Sequence, residues 1–136
     1  MLAEPKTLSA EDFKIQFFSG YSICLRSDGI IQLAFEKGFH GNMEDAKTIV
    51  AAFSKFKNPS KPGLLVIYDE DNTLSKDARE YIASEMLCGI LKADAFVING
   101  LAMRIIGNGF LRINKPKRPT RVFNSVTEAI NWLKRI

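Results

Sequence analysis

The residues of this chain that could do chemistry gather in Asp69-Glu70-Asp71-Asn72-Thr73-Leu74-Ser75. Three acidic residues in a row supply the hard oxygen donors that magnesium takes. Two hydroxyls follow, and either could accept a phosphoryl group. A phosphate brings about −1.5 to −2 charges at neutral pH, so on Ser75 at a helix start it would suit the helix dipole and repel an acidic partner docked there. Each feature also has a plainer reading. Neighbouring carboxylates on an extended segment point to alternate sides, and no second acidic cluster completes the set, so a solvated loop is the commoner outcome and no metal is assigned. Serine is a favoured helix N-cap whatever else it does. Asp69, Thr73, Ser75 and Arg79 are therefore candidate partner-binding residues, with Ser75 and Thr73 the candidate phosphoacceptors.

Elsewhere the chemistry thins out. His40, within the turn Gly38 to Gly41, has no cysteine or serine beside it to make a nucleophile pair, and nothing supports general-base work. Gly107-Asn108-Gly109 falls inside a helical stretch, too late for a phosphate cradle between a strand and its helix, so close packing or a kink explains it better. Cys24 and Cys88 form no CxxC, and with one histidine in the chain neither a disulfide framework nor a zinc site is expected. Arg112, Lys115, Lys117, Arg118 and Arg121 surround Pro116 and Pro119 as a candidate anion contact, for a phosphate or a lipid headgroup. Nucleic-acid binding wants such charge interleaved with stacking aromatics, and only Phe110 and Phe123 flank it, so nucleic acid is not an expected partner.

The elements that must position these groups follow from length and pattern. With 136 residues, 46% hydrophobic and 25% charged, the chain suits one globular domain: residues 1–20 as a lead-in segment, in which the apolar run Phe13 to Phe18 reads either as a first strand or as part of the lead-in, and 21–136 as the domain. No stretch reaches the roughly 20 unbroken apolar residues of a membrane span. No basic start leads into a secretory-type apolar run, so the cytoplasm is the expected compartment. From Tyr21 to Glu36 apolar residues alternate with polar ones around Asp28-Gly29, the signature of a hairpin with a tight primed turn. Behind Asn42 as N-cap, Ala46, Ile49, Val50, Phe53 and Phe56 recur at helical spacing. Leu64 to Tyr68 is a continuous apolar run suited to a parallel strand covered on both faces, and Ala93 to Ile98 reads as another buried strand.

Ser75 starts a second helix through Ala78, Ile82 and Met86. Leu101 to Ile113 is a third helical candidate, weakened by Gly107 and Gly109. Thr120 to Phe123 makes a last strand. Ser125-Val126-Thr127-Glu128 is a capping box opening a fourth helix that buries Val126, Ala129, Ile130 and Leu133, with Trp132 at its edge. The fold class is thus α/β: a mixed sheet that starts with a β-hairpin and continues with alternating helices and strands, four helices in all.

That order, with Asp28-Gly29-Ile30, Ser75-Lys76-Asp77-Ala78-Arg79-Glu80-Tyr81, Ala93-Asp94-Ala95-Phe96-Val97, Arg104-Ile105-Ile106-Gly107-Asn108-Gly109-Phe110, Asn114-Lys115-Pro116, Pro119-Thr120-Arg121-Val122-Phe123 and Glu128-Ala129-Ile130-Asn131-Trp132-Leu133, resembles the STAS-like domains related in fold to anti-sigma-factor antagonists. In the phosphorylatable members the helix after the central strand opens with a serine or threonine beside an acid. Thr73 and Ser75 fall near that place, but the Asp-Ser-Ser/Thr-Gly-like run is absent here. The resemblance implies a non-enzymatic regulatory or interaction module without a cofactor, binding a protein partner or itself as a homodimer. The alternative it implies is a small apolar-ligand or lipid carrier of the CRAL-TRIO-like type, using Met43, Phe53, Met86, Met103 and Phe110.

Charge is spread unevenly. The chain carries 19 basic and 15 acidic residues, a net charge of +4, yet residues 100–136 hold a local +7 and residues 1–99 a local −3. Such polarity suits a charged contact face better than a uniformly basic nucleic-acid binder.

Overall fold

The alternating run from Tyr21 does fold into an antiparallel pair. In the computed structural model, which describes residues 15–56, 60–84, 89–100 and 117–136, β2 (Tyr21–Leu25) pairs with β3 (Ile31–Phe35) from Tyr21↔Phe35 to Leu25↔Ile31. The connection is looser than a tight primed turn. The Arg26 N–H still reaches the Ile30 carbonyl at 2.9 Å and the Gly29 N–H the Arg26 carbonyl at 3.0 Å. Gly29 alone takes a positive φ, +86°, as in hairpins with a three-residue loop. Asp28 secures the turn by accepting from the Ile30 N–H at 3.2 Å and pairing with Arg26 at 3.1 Å.

Of the two readings of Phe13 to Phe18, the strand is the one seen: β1 (Gln16–Phe18) adds antiparallel to β2. Phe18 stacks on Tyr21 with ring centroids 4.8 Å apart. Beyond β3 the pairing becomes parallel, through β5 (Gly63–Ile67), β7 (Ala93–Val97) and β8 (Thr120–Phe123), giving the order β1-β2-β3-β5-β7-β8. A separate two-stranded bridge joins β4 (His40–Gly41) to β6 (Thr73–Leu74). Among the described strands the parallel order simply follows the sequence, so no reversal opens the crevice in which open α/β sheets usually hold ligands.

Helix α1 (Met43–Ser54) opens on a reciprocal capping box between Asn42 and Asp45. Helix α2 (Lys76–Ile82) is capped by Ser75, and α3 (Val126–Arg135) by Ser125, whose hydroxyl accepts from the Glu128 N–H at 3.3 Å. Three helices thus stand among the described residues, against the four that the sequence suggests. The remaining candidate, Leu101–Ile113, lies outside the described residues, as do Cys88, Met86, Met103, Arg112 and Lys115.

The two faces of the sheet form two cores. On one face Leu33, Phe35, Leu64, Val66 and Phe96 pack under Ile49, Val50 and Phe53 of α1, with Tyr81 and Ile82 of α2 against them. On the other, Leu65, Ala93, Ala95, Val97 and Phe123 pack under Ala129, Trp132 and Leu133 of α3. Two residues of α3 exchange the roles that their pattern suggests. Val126, in the first turn, is exposed, and Trp132 is buried, because its ring lies against Phe123 with centroids 5.7 Å apart. Gly63 allows α3 to sit close to β5: a Cβ there would come within 2.9 Å of Leu133 Cδ2. No helix among the described residues is long and apolar enough to cross a membrane.

Candidate functional site

The segment after β5 is held by its backbone and by one buried amide. Asn72 Oδ1 accepts from the Asp69 N–H at 2.7 Å, and its Nδ2 donates to the Glu36 carbonyl at 2.7 Å and the Phe39 carbonyl at 3.4 Å. Asparagine fits because its side chain carries both acceptor and donor. The Gly38 N–H bonds the Glu70 carbonyl at 2.8 Å, the Thr73 N–H the Phe39 carbonyl at 3.2 Å, and the Ser75 N–H the Gly41 carbonyl at 3.0 Å. Asp71 turns the chain at φ +57°, a left-handed conformation that aspartate tolerates better than most residues.

The three acidic side chains part company, as alternation suggests. Asp69 Oδ1 folds back to the Glu70 N–H at 2.7 Å, Glu70 meets Lys37 at 3.0 Å, and Asp71 lies 3.4 Å from His40 Nε2. The bond to Glu70 holds the exposed Lys37 ammonium above its ordinary range. Among the described residues no group of three or more histidines, cysteines and acids is placed to hold a metal.

His40 has company that its local sequence does not show. Its Nδ1 lies 2.5 Å from Thr73 Oγ1 across the β4–β6 bridge, so the histidine links Thr73 to Asp71. These partners lie more than 30 positions away in the chain, and only the pairing of two two-residue strands joins them. Ser75 is engaged as a cap: its hydroxyl accepts from the Ala78 N–H at 3.4 Å and donates to Asp77 Oδ1 at 2.5 Å. That bond, with help from the Ala78 and Asp77 N–H groups, holds the Asp77 carboxyl below the ordinary carboxylate range. Arg79 turns away from the exposed set. Its Nη1 donates to the Leu74 carbonyl at 2.7 Å, and its side chain lines a cavity under α2.

The cavity holds about 160 Å3 and is walled mainly by Leu33, Leu64, Val66, Leu74, Ile82 and Phe96, with Tyr68 and Asp94 among the polar groups that reach it. Tyr68 packs edge-on to Phe96, with centroids 5.7 Å apart, and burial pushes its hydroxyl far up from its ordinary value, with the Asp94 charge adding to the shift. A wetter hollow between the ends of β5 and β7 is lined by Tyr68, Asp69, Glu70, Ile98 and Asn99.

Asp94 stands in the middle of an apolar strand, and Arg118 answers it. The guanidinium donates through Nε and Nη2 at 2.7 and 2.8 Å, with a further bond from Nη2 to the Ile82 carbonyl at 3.2 Å. Burial pushes the Asp94 carboxyl up, against the opposing pull of that guanidinium. Arg118 is therefore spent inside the domain and unavailable as an anion contact. Of its neighbours in the basic stretch, Lys117 is exposed, and Arg121 lies over the Phe123 and Trp132 rings at 5.1 and 5.8 Å. The described part of the stretch is divided between core and surface.

The structure is similar, with a TM-score of 0.54, to the crystal structure of an uncharacterised protein from the DUF3478 family with a SpoIIAA-like fold from Shewanella loihica PV-4; the match covers 84% of this chain and 94% of that one at 20% identity. By sequence the chain belongs to the family described as a domain of unknown function, DUF7793, whose model matches residues 23–136. No curated protein matches the chain.

Proposed function

We propose that the chain is a non-enzymatic, cytoplasmic interaction module of regulatory type, which meets a basic face of another protein through the loop Asp69–Asp77. The observation that carries this reading is a loop fixed at its backbone and open at its side chains. Asn72 and the β4–β6 bridge lock the main chain, while Asp69, Glu70, Asp71, Thr73, Ser75 and Asp77 are all exposed. A locked loop loses little conformational freedom on docking, which is where much of the cost of association lies. Its acidic side chains suit a basic partner, and a second copy qualifies, since the basic excess lies in residues 100–136.

Affinity capture with the wild type and with a Glu70→Gln/Asp71→Asn variant tests the reading; asparagine keeps the left-handed turn accessible. A partner held at low salt and lost several-fold by the variant supports it. Equal capture by both proteins overturns it, as does a purified chain that captures nothing and turns over a substrate.

A further inference from the structure

We propose that the cavity under α2 is a binding site for an uncharged molecule the size of one ring, carrying a single hydrogen-bond acceptor. Size sets the first limit. An engineered cavity of about 150 Å3 lined by leucine, isoleucine and phenylalanine stays dry and takes up benzene, and this half-open one holds about 160 Å3 between walls that include Leu33, Leu64, Val66 and Phe96. A ring fills such a space, whereas an acyl chain of ordinary length would have to run out of it into solvent.

Chemistry sets the second. Most polar groups at the cavity are already committed: Asn72 to the Asp69 N–H and the Glu36 and Phe39 carbonyls, Thr73 to His40, Arg79 to the Leu74 carbonyl, and Asp94 to Arg118 through both oxygens. Among the described residues the Tyr68 hydroxyl has no such bond. Because burial raises its pKa, it stays protonated across the physiological range and offers a donor. A charged ligand would have to shed its hydration in a mostly apolar pocket where Arg79 is already bound to the Leu74 carbonyl and both oxygens of Asp94 are held by Arg118. The ligand class that remains is neutral and cyclic, with a carbonyl or ether oxygen for Tyr68.

Ligand-detected NMR with acetophenone, benzene, benzoate and palmitate tests the site. Acetophenone is expected to bind saturably and more tightly than benzene, and benzoate and palmitate more weakly than acetophenone. Tyr68→Phe is expected to weaken acetophenone about three- to tenfold, the scale of one net hydrogen bond, while leaving benzene unchanged. Val66→Phe, which fills the cavity, is expected to abolish both; Leu74→Trp gives the same reading at the rim if Val66→Phe does not fold. Absence of saturable ring binding to the wild type overturns the proposal, as does binding that survives the filling variants or palmitate binding more tightly than acetophenone.

Discussion

Asp94 and Arg118 meet through two hydrogen bonds, at 2.7 and 2.8 Å, with side chains only 4% and 3% exposed. The pair ties β7 to the segment leading into β8, and through the Ile82 carbonyl to the end of α2. One nitrogen, Arg118 Nη1, is buried with no partner among the described residues, so among them part of the pair's desolvation cost goes uncompensated.

Breaking that pair from one side should therefore be severe. Arg118→Leu leaves a carboxylate buried alone and is expected to cost about 3–5 kcal/mol, whereas an apolar replacement of both partners should cost much less. Urea denaturation of the two single variants and the double variant measures this. A double variant as unstable as the sum of the singles would show that the two residues do not act as a pair.

Ser75→Ala removes both a helix cap and the donor to Asp77. The cap alone is worth about 1 kcal/mol. The folded Asp77 carboxyl lies below its ordinary value, so its stabilising contribution is present above the unfolded pKa and is lost as pH falls through the lower, folded one. Without the serine, NMR titration should place Asp77 closer to an ordinary aspartate, and that part of the acid dependence should shrink. An unmoved Asp77 titration would mean that the backbone N–H groups hold it unaided.

Asn72→Ala should loosen the acidic loop before it unfolds the domain. It leaves the Asp69 N–H and the Glu36 carbonyl without their partner, a loss of about 1–3 kcal/mol. Hydrogen exchange at Asp69 is expected to accelerate while exchange in β5 stays slow. Uniform acceleration across both would make Asn72 a global rather than a local tie.

Gly63→Ala places a methyl group 2.9 Å from Leu133 Cδ2, in a core where Leu133 is 1% exposed. Overpacking of this kind costs about 1–3 kcal/mol. Leu133→Val in the same chain should recover part of the loss, a coupling that a double-mutant cycle reads directly. Additive losses would place the strain in the strand backbone instead.

Much of the fold is legible in the chain because its signals are local. Alternation around Asp28-Gly29 gives the hairpin, helical spacing behind Asn42 gives α1, and Ser75 and Ser125 mark where α2 and α3 begin. The candidate site is less legible because its contacts are distant. Nothing near His40 points to Thr73 or Asp71, since β4 and β6 are each two residues long, too short for a strand pattern. Arg118 reads as one of several loop cations until Asp94 is seen in a strand of five buried residues. An acid inside an apolar run is itself the signal, because a carboxyl buried there is costly as an anion unless a partner such as a cation meets it. Trp132 and Val126 differ from their pattern for another reason: spacing marks the side of a helix, whereas burial also depends on how far along its axis the sheet extends.

The strand order has a kinetic side. β1, β2 and β3 are joined by connections of a few residues, so their pairing closes short loops at little entropic cost. β8 joins β7 only after the segment between Val97 and Thr120 has closed, and α3 follows it in the chain. Native contacts of long sequence separation form slowly. The amino-terminal meander should therefore gain protection first in pulsed hydrogen exchange during refolding, with the Asp94–Arg118 clasp and α3 last. Early protection in β8 would reverse that order.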